Sequence, residues 1–451
     1  MSDAFLIQNR LTAVADPKMN NETVQKLWHG FSLTLGEIAF EQGKENTFRL
    51  GEEPLPALSE GKEYALSVSE KGAAVIGKDF GGLMRGFLSL LMKMEYDGKA
   101  VFIKTLTEES NYRLKNRMLH ICVFPENSYH YIQKLIRLAG LCQYTHLVIE
   151  FWGMLQYDCL KELAWPHAFT KSQAKALIEE CRALGMEPIP MFNQLGHATA
   201  CRIKYGKHVV LDQNPTLQHL FTPDGWAWNI HSQETRALLK KVRQELYDLF
   251  GEGEFLHVGC DEAYYYTRCD EERRLLPAYL KALTDAVAEE GRRPMVWMDM
   301  MLERDKYHKG TRVYATCAPD EVEALQESLN PATVMVDWQY NVLQAPIETL
   351  LSLKDNTRDA MGAPWYEKGN SAAFVETIAE NDLFGIMMTT WQALKEHMDC
   401  ILKCAKECGA STFPWSEFSG VREETATLLR KISFEGNSYA DCGWAKEQIV
   451  L

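Results

Sequence analysis

The chain has 451 residues, 46% of them hydrophobic and 24% charged, with a formal net charge of −14. That length and apolar content exclude disorder and point to two or three domains built around a large buried core. The acidic balance excludes the basic patches on which sequence-independent binding to nucleic acid or to an anionic membrane depends, and it leaves a neutral or polar small ligand as the better fit.

The opening stretch, "MSDAFLIQNRLTAVADPKMN", has no basic segment followed by an apolar core and a small-residue cleavage site. No later run approaches the roughly 18 uninterrupted apolar residues of a membrane span. The expectation is a chain that is not exported and resides in the cytoplasm. The 12 cysteines fit that reading, because they lack CxxC spacing and sit inside apolar segments such as "MLHICVF" and "LAGLCQY", as buried reduced thiols do.

Residues 1–110 read as a small α+β domain. "FSLTLGE", "YALSVSE" and "AAVIGKD" alternate as half-buried strands do, "FGGLMRGFLSLLMKM" has helical spacing, and "AVFIKTLTEE" closes with a further strand. The polar stretch "TEESNYRLKN" marks its edge. From residue 111 to 451 the pattern changes to short apolar strands, most of them separated by amphipathic helices such as "YHYIQKLIRLAGLCQY". The strands are "RMLHICV", "HLVIEFW", "EPIPMFN", "FLHVGCD", "PMVWMDM", "TVMVDWQ", "DAMGAPW" and "FGIMMTTW". Eight strands alternating with helices predict an α/β fold, a (β/α)₈ TIM barrel. "DAMGAPW" is the weakest of the eight because of its Gly and Pro, and "TRVYATC" competes for a place.

In such a barrel the site gathers at the C-terminal ends of the strands. Those ends carry His120, Glu150 with Trp152, Asn193 with His197, Asp261 with Glu262, Trp297 with Asp299, Asp337 with Trp338 and Tyr340, Trp365 with Tyr366 and Glu367, and Trp391. Flat aromatic walls stack on sugar faces while carboxylates and amides bind hydroxyls, so this set describes a carbohydrate pocket. No GxGxxG or GxxxxGK[ST] element precedes a helix, and no HxH pair or HExxH helix occurs. Neither a cofactor nor a metal is therefore expected. Asp261 and Glu262 reach one pocket only if the backbone turns where the strand ends, since alternate strand residues face opposite sides.

"HVGCDEAY" resembles the H-x-G-G-D-E strand of the family 20 glycoside hydrolases, the β-N-acetylhexosaminidases, and "EPIPMFNQLGHATA" resembles their P-E-I-D-x-P-G-H-x-x-A strand. "NYRLKNRMLH" is similar to the family's R-G-x-x-L-D start of the first barrel strand and "RRPMVWMDMM" to its V-W-x-D-x segment. The stretch "YALSVSEKGAAVIGKDFGGLMRGFLSLLMKM" resembles its preceding α+β domain. The resemblance implies exo-acting hydrolysis of a glycoside or oligosaccharide that ends in a β-linked N-acetylhexosamine, by substrate-assisted catalysis. Glu262 would then be the acid and base, and Asp261 the group that holds the acetamide N–H. Trp297, Trp338 and Trp391 would form the walls, with His197 in support. Arg117 would bind outer hydroxyls, although strict spacing puts Lys115 at the motif's arginine position. Tyr366, with Tyr340 as its rival, would bind the acetamide oxygen, and Glu367 lies near a sugar-binding acid position.

The chain departs from the family's pattern in places. The H-x-x-D-D segment is missing, His120 and Asn193 stand where acids are usual, and the eighth strand runs into "TTWQALKE" in place of W-x-E. Alternatives stay open. An adjacent Asp-Glu pair is by itself a common helix cap, single tryptophans are often core, and the Cys400, Cys404, Cys408 stripe reads as core packing. A metal-dependent barrel hydrolase using His120, His146, His197 and His257, or a silent sugar-binding protein on the same scaffold, are the competing functions.

Overall fold

The computed structural model describes residues 3–8, 10–32, 38–198, 214–303, 306–307, 311, 319–354, 357–367, 369–391, 398–410 and 420–432. The N-terminal part holds a three-stranded antiparallel sheet of β1 (Ala4–Leu6), β8 (Val101–Lys104) and β7 (Glu95–Tyr96). Beside it lies a six-stranded sheet ordered β3-β2-β4-β6-β5-β9, made of β2 (Leu11–Ala15), β3 (Ile38–Gln42), β4 (Thr47–Gly51), β5 (Tyr64–Ser69), β6 (Gly72–Gly77) and β9 (Leu106–Glu109). Helix α1 spans Glu22–Ser32, and α2 (Phe80–Met92), capped by Asp79 accepting from Gly82 N, packs on β5 and β6. The strand expected at "FSLTLGE" is not one where it is described: Phe31 and Ser32 close α1, buried with Val24, Leu27 and Trp28 at helical spacing, and 33–37 lie outside the described residues. "AVFIKTLTEE" is two strands that serve different sheets.

The remainder carries eight parallel strands: β10 (Asn116–Cys122), β11 (His146–Glu150), β12 (Glu187–Pro190), β13 (Phe255–His257), β14 (Arg293–Trp297), β15 (Val334–Asp337), β16 (Asp359–Gly362) and β17 (Gly385–Met388). They form one sheet in the order β12-β11-β10-β17-β16-β15-β14-β13. Each coincides with a segment expected from the sequence. "TRVYATC" lies outside the described residues beyond Thr311. "DAMGAPW" works as a strand because Pro364 falls beyond its end, and because a Cβ at Gly362 would come within 2.3 Å of Phe374 on the helix Asn370–Asn381, so the glycine lets that helix approach.

The seam between β12 and β13 closes late, and the sequence says why. Glu187 donates its N–H to Thr145, the residue before β11, and Met191 donates to Ile149 of β11, so the N–H groups of 188 and 190 would point at β13. Both residues are proline, which has none. Closure waits for Phe192 N donating to His257 O at 3.1 Å and Gln194 N to Val258 O at 2.9 Å. The last bonds of the barrel are thus made by the loops that carry the D-E and G-H motifs.

Two-residue alternation separates two cores. Met118, Val148, Ile189, Met191, Phe255, Met295, Trp297, Val334, Val336, Met361 and Met387 fill the barrel lumen. Leu119, Ile121, Leu147, Ile149, Val296, Ile386 and Met388 pack outward into a core shared with the helices and the N-terminal sheets. Cys400, Cys404 and Cys408 lie buried in that outer core on the helix Asp399–Glu407 and its cap. The nine described cysteines are free thiols. No helix among the described residues is long and apolar enough to cross a membrane.

Arg117 joins the N-terminal part to the barrel. It lies at the start of β10, 2% exposed, and its guanidinium donates to Glu63 Oε1 at 3.0 Å and Oε2 at 3.1 Å, while Arg85 of α2 donates to the same carboxylate. The Tyr112 ring covers it at 3.6 Å. Burial would push the Glu63 carboxyl up, but Arg117 and Arg85 outweigh it and hold the group below the usual carboxylate range.

Candidate active site

Asp261 and Glu262 follow β13 on a backbone that leaves the strand conformation abruptly. Gly259 (φ 66°), Cys260 (φ 76°) and Glu262 (φ 49°) are all left-handed, as is His197 (φ 52°) on the loop after β12. For the three non-glycine residues this costs on the order of 1–2 kcal/mol each, so the surrounding contacts must enforce it. Two glycines let the loops interlock. A Cβ on Gly259 would fall 1.5 Å from Asn193 Oδ1, which accepts the Cys260 N–H at 3.1 Å, and a Cβ on Gly196 would fall 1.9 Å from the Asp261 carbonyl oxygen. The turn on either side of Asp261 brings both carboxylates to one place, where His197 Nε2 lies 3.2 Å from Asp261 Oδ2 and 3.2 Å from Glu262 Oε2. Neither acid caps a helix: Ala263 stands at the N-cap of the short 3₁₀ turn Tyr264–Thr267, with no side-chain cap bond.

The third carboxylate of the group is Asp299, two residues past Trp297 and 1% exposed. Its Oδ2 accepts the Glu262 backbone N–H at 3.0 Å and its Oδ1 accepts Trp338 Nε1 at 3.3 Å. Burial, then the nearby Asp261 and Glu262, push its carboxyl well above the usual range. Asp261 is 6% exposed, and its Oδ1 meets no hydrogen-bond donor among the described residues. Such an acceptor is costly unless a ligand or water supplies the donor.

Aromatic rings form a wall beside this group. Trp338 stacks on Tyr340 at 5.1 Å, Tyr340 Oη accepts Trp391 Nε1 at 2.7 Å, and Trp391 lies 6.0 Å from Trp297. Trp365 contacts Tyr340 at 5.2 Å and Tyr366 at 4.4 Å. Trp297 is fully buried beneath, with His257 4.5 Å away. Burial lowers the His257 pKa to about 3, and its Nδ1 accepts the Gly259 N–H at 3.1 Å, so the neutral ring carries its proton on Nε2.

Trp297, Trp338, Tyr340 and Trp391 therefore share one wall, linked to Glu262 through Asp299. Of the two rival tyrosines, Tyr340 sits inside this wall at 7% exposure and Tyr366 at its rim at 37%; Glu367 follows on the rim loop, half-buried. Residues 392–397, most of "TTWQALKE", lie outside the described residues. Arg117 is not brought here. It lies at the opposite, N-terminal end of β10, and its guanidinium is taken up by Glu63, which corrects the expectation that it holds sugar hydroxyls.

Three residues that depart from the family's motifs make one network. His120 Nε2 lies 3.2 Å from Glu150 Oε2, Asn193 Nδ2 donates to Glu150 Oε1 at 3.4 Å, and the His120 ring sits 4.6 Å from Trp391. Glu150 and Asn193 thus tie the strand ends under the D-E loop to the aromatic wall. His146, named with them as a possible metal ligand, is elsewhere: it starts β11, where burial takes its pKa down to about 3. Among the described residues no group of three or more His, Cys, Asp or Glu side chains is arranged to hold a metal ion. Asp299, named at the end of its strand but given no role there, and Trp226, not named from the sequence, complete the site. Asp299 shares the facing of Trp297 by the two-residue rule, a readable signal; Trp226 comes from an irregular loop and carries none.

The site thus combines a strained acid pair, a histidine bridging it and an aromatic wall at the C-terminal end of a (β/α)₈ barrel. The model of the glycosyl hydrolase family 20 catalytic domain matches residues 152–391, and the chain belongs to that family. It is similar to human hexosaminidase D, 24% identical over 187 residues covering 38% of this chain and 36% of that protein. It is also similar to human beta-hexosaminidase subunit beta, 20% identical over 341 residues, 64% of this chain and 56% of that one. The chain thus spans a little over a third to a little over half of these relatives. Among solved structures it resembles a GH20 exo beta-N-acetylglucosaminidase from Vibrio harveyi in complex with N-acetylglucosamine. The TM-score is 0.67 at 14% identity, over 97% of this chain and 76% of that one. A mutant beta-hexosaminidase of Streptomyces plicatus in complex with its product matches with a TM-score of 0.66 at 13% identity, over 98% and 95%.

Proposed function

We propose that this chain is an exo-acting β-N-acetylhexosaminidase that cleaves terminal β-linked N-acetylhexosamine with retention of configuration, using the substrate's acetamide as nucleophile. The observation that carries the reading is the buried Asp261 Oδ1, an acceptor with no donor among the described residues, whose carboxylate shares His197 Nε2 with Glu262. The sugar ring lies against Trp338, Tyr340 and Trp391, and its acetamide N–H meets Asp261. The acetamide oxygen then attacks the anomeric carbon while Glu262 protonates the departing glycosidic oxygen, giving an oxazolinium ion and a free alcohol. Glu262, now a base, takes a proton from water as it opens that ring at the same carbon. Asp261 balances the positive charge of the intermediate, and His197 keeps both carboxylates in register.

The test is hydrolysis of aryl β-glycosides of N-acetylglucosamine, N-acetylgalactosamine and 6-sulfated N-acetylglucosamine against aryl β-glucoside. Turnover of at least one acetamido sugar and none of the glucoside is expected, with strong inhibition by a thiazoline mimic of the cyclic intermediate. Equal turnover of the glucoside, or a covalent enzyme adduct trapped with a fluorosugar, sinks the reading.

A further inference from the structure

We propose that Asp299 and Trp226 are positioning residues that clamp the main chain of Glu262 from both sides, so that the aim of this carboxyl is set by its two peptide groups. The inference rests on the reading of Glu262 as the proton donor. β13 ends at His257, five residues earlier, so no ladder bond of the sheet holds Glu262. Its N–H is taken by Asp299 Oδ2 at 3.0 Å and its carbonyl by Trp226 Nε1 at 2.7 Å, with the Tyr264 N–H as a second donor at 2.8 Å. The two clamping side chains come from separate segments, the loop after β14 and the loop before the helix Gln233–Phe250. Between them they hold a residue whose φ of 49° is unfavourable for any side chain.

Two further features point to aim as the purpose. Asp299 stands near two other carboxylates, a placement that electrostatics disfavours and an amide would relieve. An amide cannot replace it, because both oxygens accept from N–H donors, Glu262 N and Trp338 Nε1, and Asn offers one acceptor and turns N–H against the other donor. Asp299 therefore ties the acid's backbone to the wall against which the sugar would lie. Trp226 ties it to His197, whose ring is 4.5 Å away. Proton donor, supporting histidine and wall are held as one piece, which is what proton transfer to a fixed oxygen demands.

The experiment uses Asp299→Asn and Trp226→Phe in the full chain, with aryl β-N-acetylhexosaminides of graded leaving-group acidity and thermal unfolding of each variant. Trp226→Phe keeps the ring against His197 and Tyr264 and removes only the N–H. Asp299→Asn is expected to lose about 10²-fold in kcat on the poorest leaving groups and no more than about threefold on the best, with KM nearly constant, because only substrates that need protonation feel a misaimed acid. Trp226→Phe should show the same gradient at roughly tenfold. Losses uniform across the series, or confined to KM, overturn the clamp. Should Asp299→Asn not fold, Trp226→Phe decides, and wild-type rates and slope in that variant overturn the proposal. A wild type inert on every member removes the functional reading and this one together, whereas an active wild type with flat variant losses removes only the clamp.

Discussion

The two ends of the barrel treat buried charge in opposite ways. At the N-terminal end, Glu63 is enclosed by two guanidinium groups and its pKa is lowered; at the C-terminal end, Asp261, Glu262 and Asp299 crowd together, and Asp299 is driven up. The first arrangement neutralises an anion and fastens two layers of structure. The second sets carboxyl groups together, with His197 Nε2 within 3.2 Å of two of them, and it is held by left-handed turns that no strand needs. Compensated burial marks a joint. Crowded carboxylates mark a candidate reaction site, because repulsion between neighbouring acids is one way in which proteins tune a proton donor.

The contrast predicts that substitutions at the two ends fail in different assays. The largest effect belongs to Glu262→Gln, expected to cut turnover of glycosides with poor leaving groups by about 10³–10⁴-fold and activated aryl substrates far less. Equal losses across a leaving-group series would remove Glu262 from the acid's role. Arg117→Ala comes next, and it should act on the fold. Stripping Glu63 of its main partner leaves a buried carboxylate poorly paired, a loss of roughly 3–5 kcal/mol read as a lower denaturation midpoint, with kcat per folded molecule unchanged. A KM increase without loss of stability would return Arg117 to the sugar.

Asp261→Asn should behave in the reverse manner to Arg117→Ala. Its melting temperature stays near wild type, while kcat falls about 10²–10³-fold, some 3–4 kcal/mol, as a neutral amide no longer offsets the oxazolinium charge. Wild-type turnover in that variant would make the acid pair structural.

The smallest effect is a pH dependence. Asp337 is fully buried with Gln339 and Thr349 as its donors, and burial first raises its pKa to about 6. The folded protein therefore holds this proton more tightly than the unfolded chain, whose carboxyl titrates near 4. Its contribution to stability is complete below pH 4, is lost as pH rises to about 6, and is flat above. The change is on the order of 2–3 kcal/mol. Asp337→Asn should flatten the stability profile between pH 4 and 6, as followed by chemical denaturation. Glu63 has the opposite sign: its lowered pKa supplies stability above the usual carboxylate range that is lost on acidification.

Much of the fold was legible because a barrel strand alternates every two residues between two dry cores, so even short segments such as "PMVWMDM" announce themselves. The N-terminal sheets were less so. β1, β2 and β4 are brief and exposed along one side, and "FSLTLGE" alternates by accident where its first two residues end a helix. In the site, Asp261, Glu262 and His197 could be read from local motifs, since a glycine shortly before the acid pair and another next to the histidine are the signature of a chain that must turn sharply. Arg117 could not: spacing places it one turn of alternation from Lys115, and only Glu63, 54 residues away, decides which way its guanidinium goes.

By itself the sequence determined the eight strands, their order, the acid pair that ends the fourth and the aromatic residues that end the later ones, all of which follow from periodicity and neighbouring residues. The tertiary structure alone decided which of those residues meet. Pro188 and Pro190 leave the β12–β13 seam to be closed by the loops that carry the D-E and G-H motifs. His120, Glu150 and Asn193, substitutions when read one at a time, become a network once three strands lie side by side. Asp299 and Trp226, 73 residues apart in the chain, meet on either side of one residue, at the N–H and the carbonyl of Glu262. Hydrogen bonds reach about 3 Å and carry no memory of sequence distance, so a position that is unremarkable along the chain acquires its role only when folding sets its partner beside it.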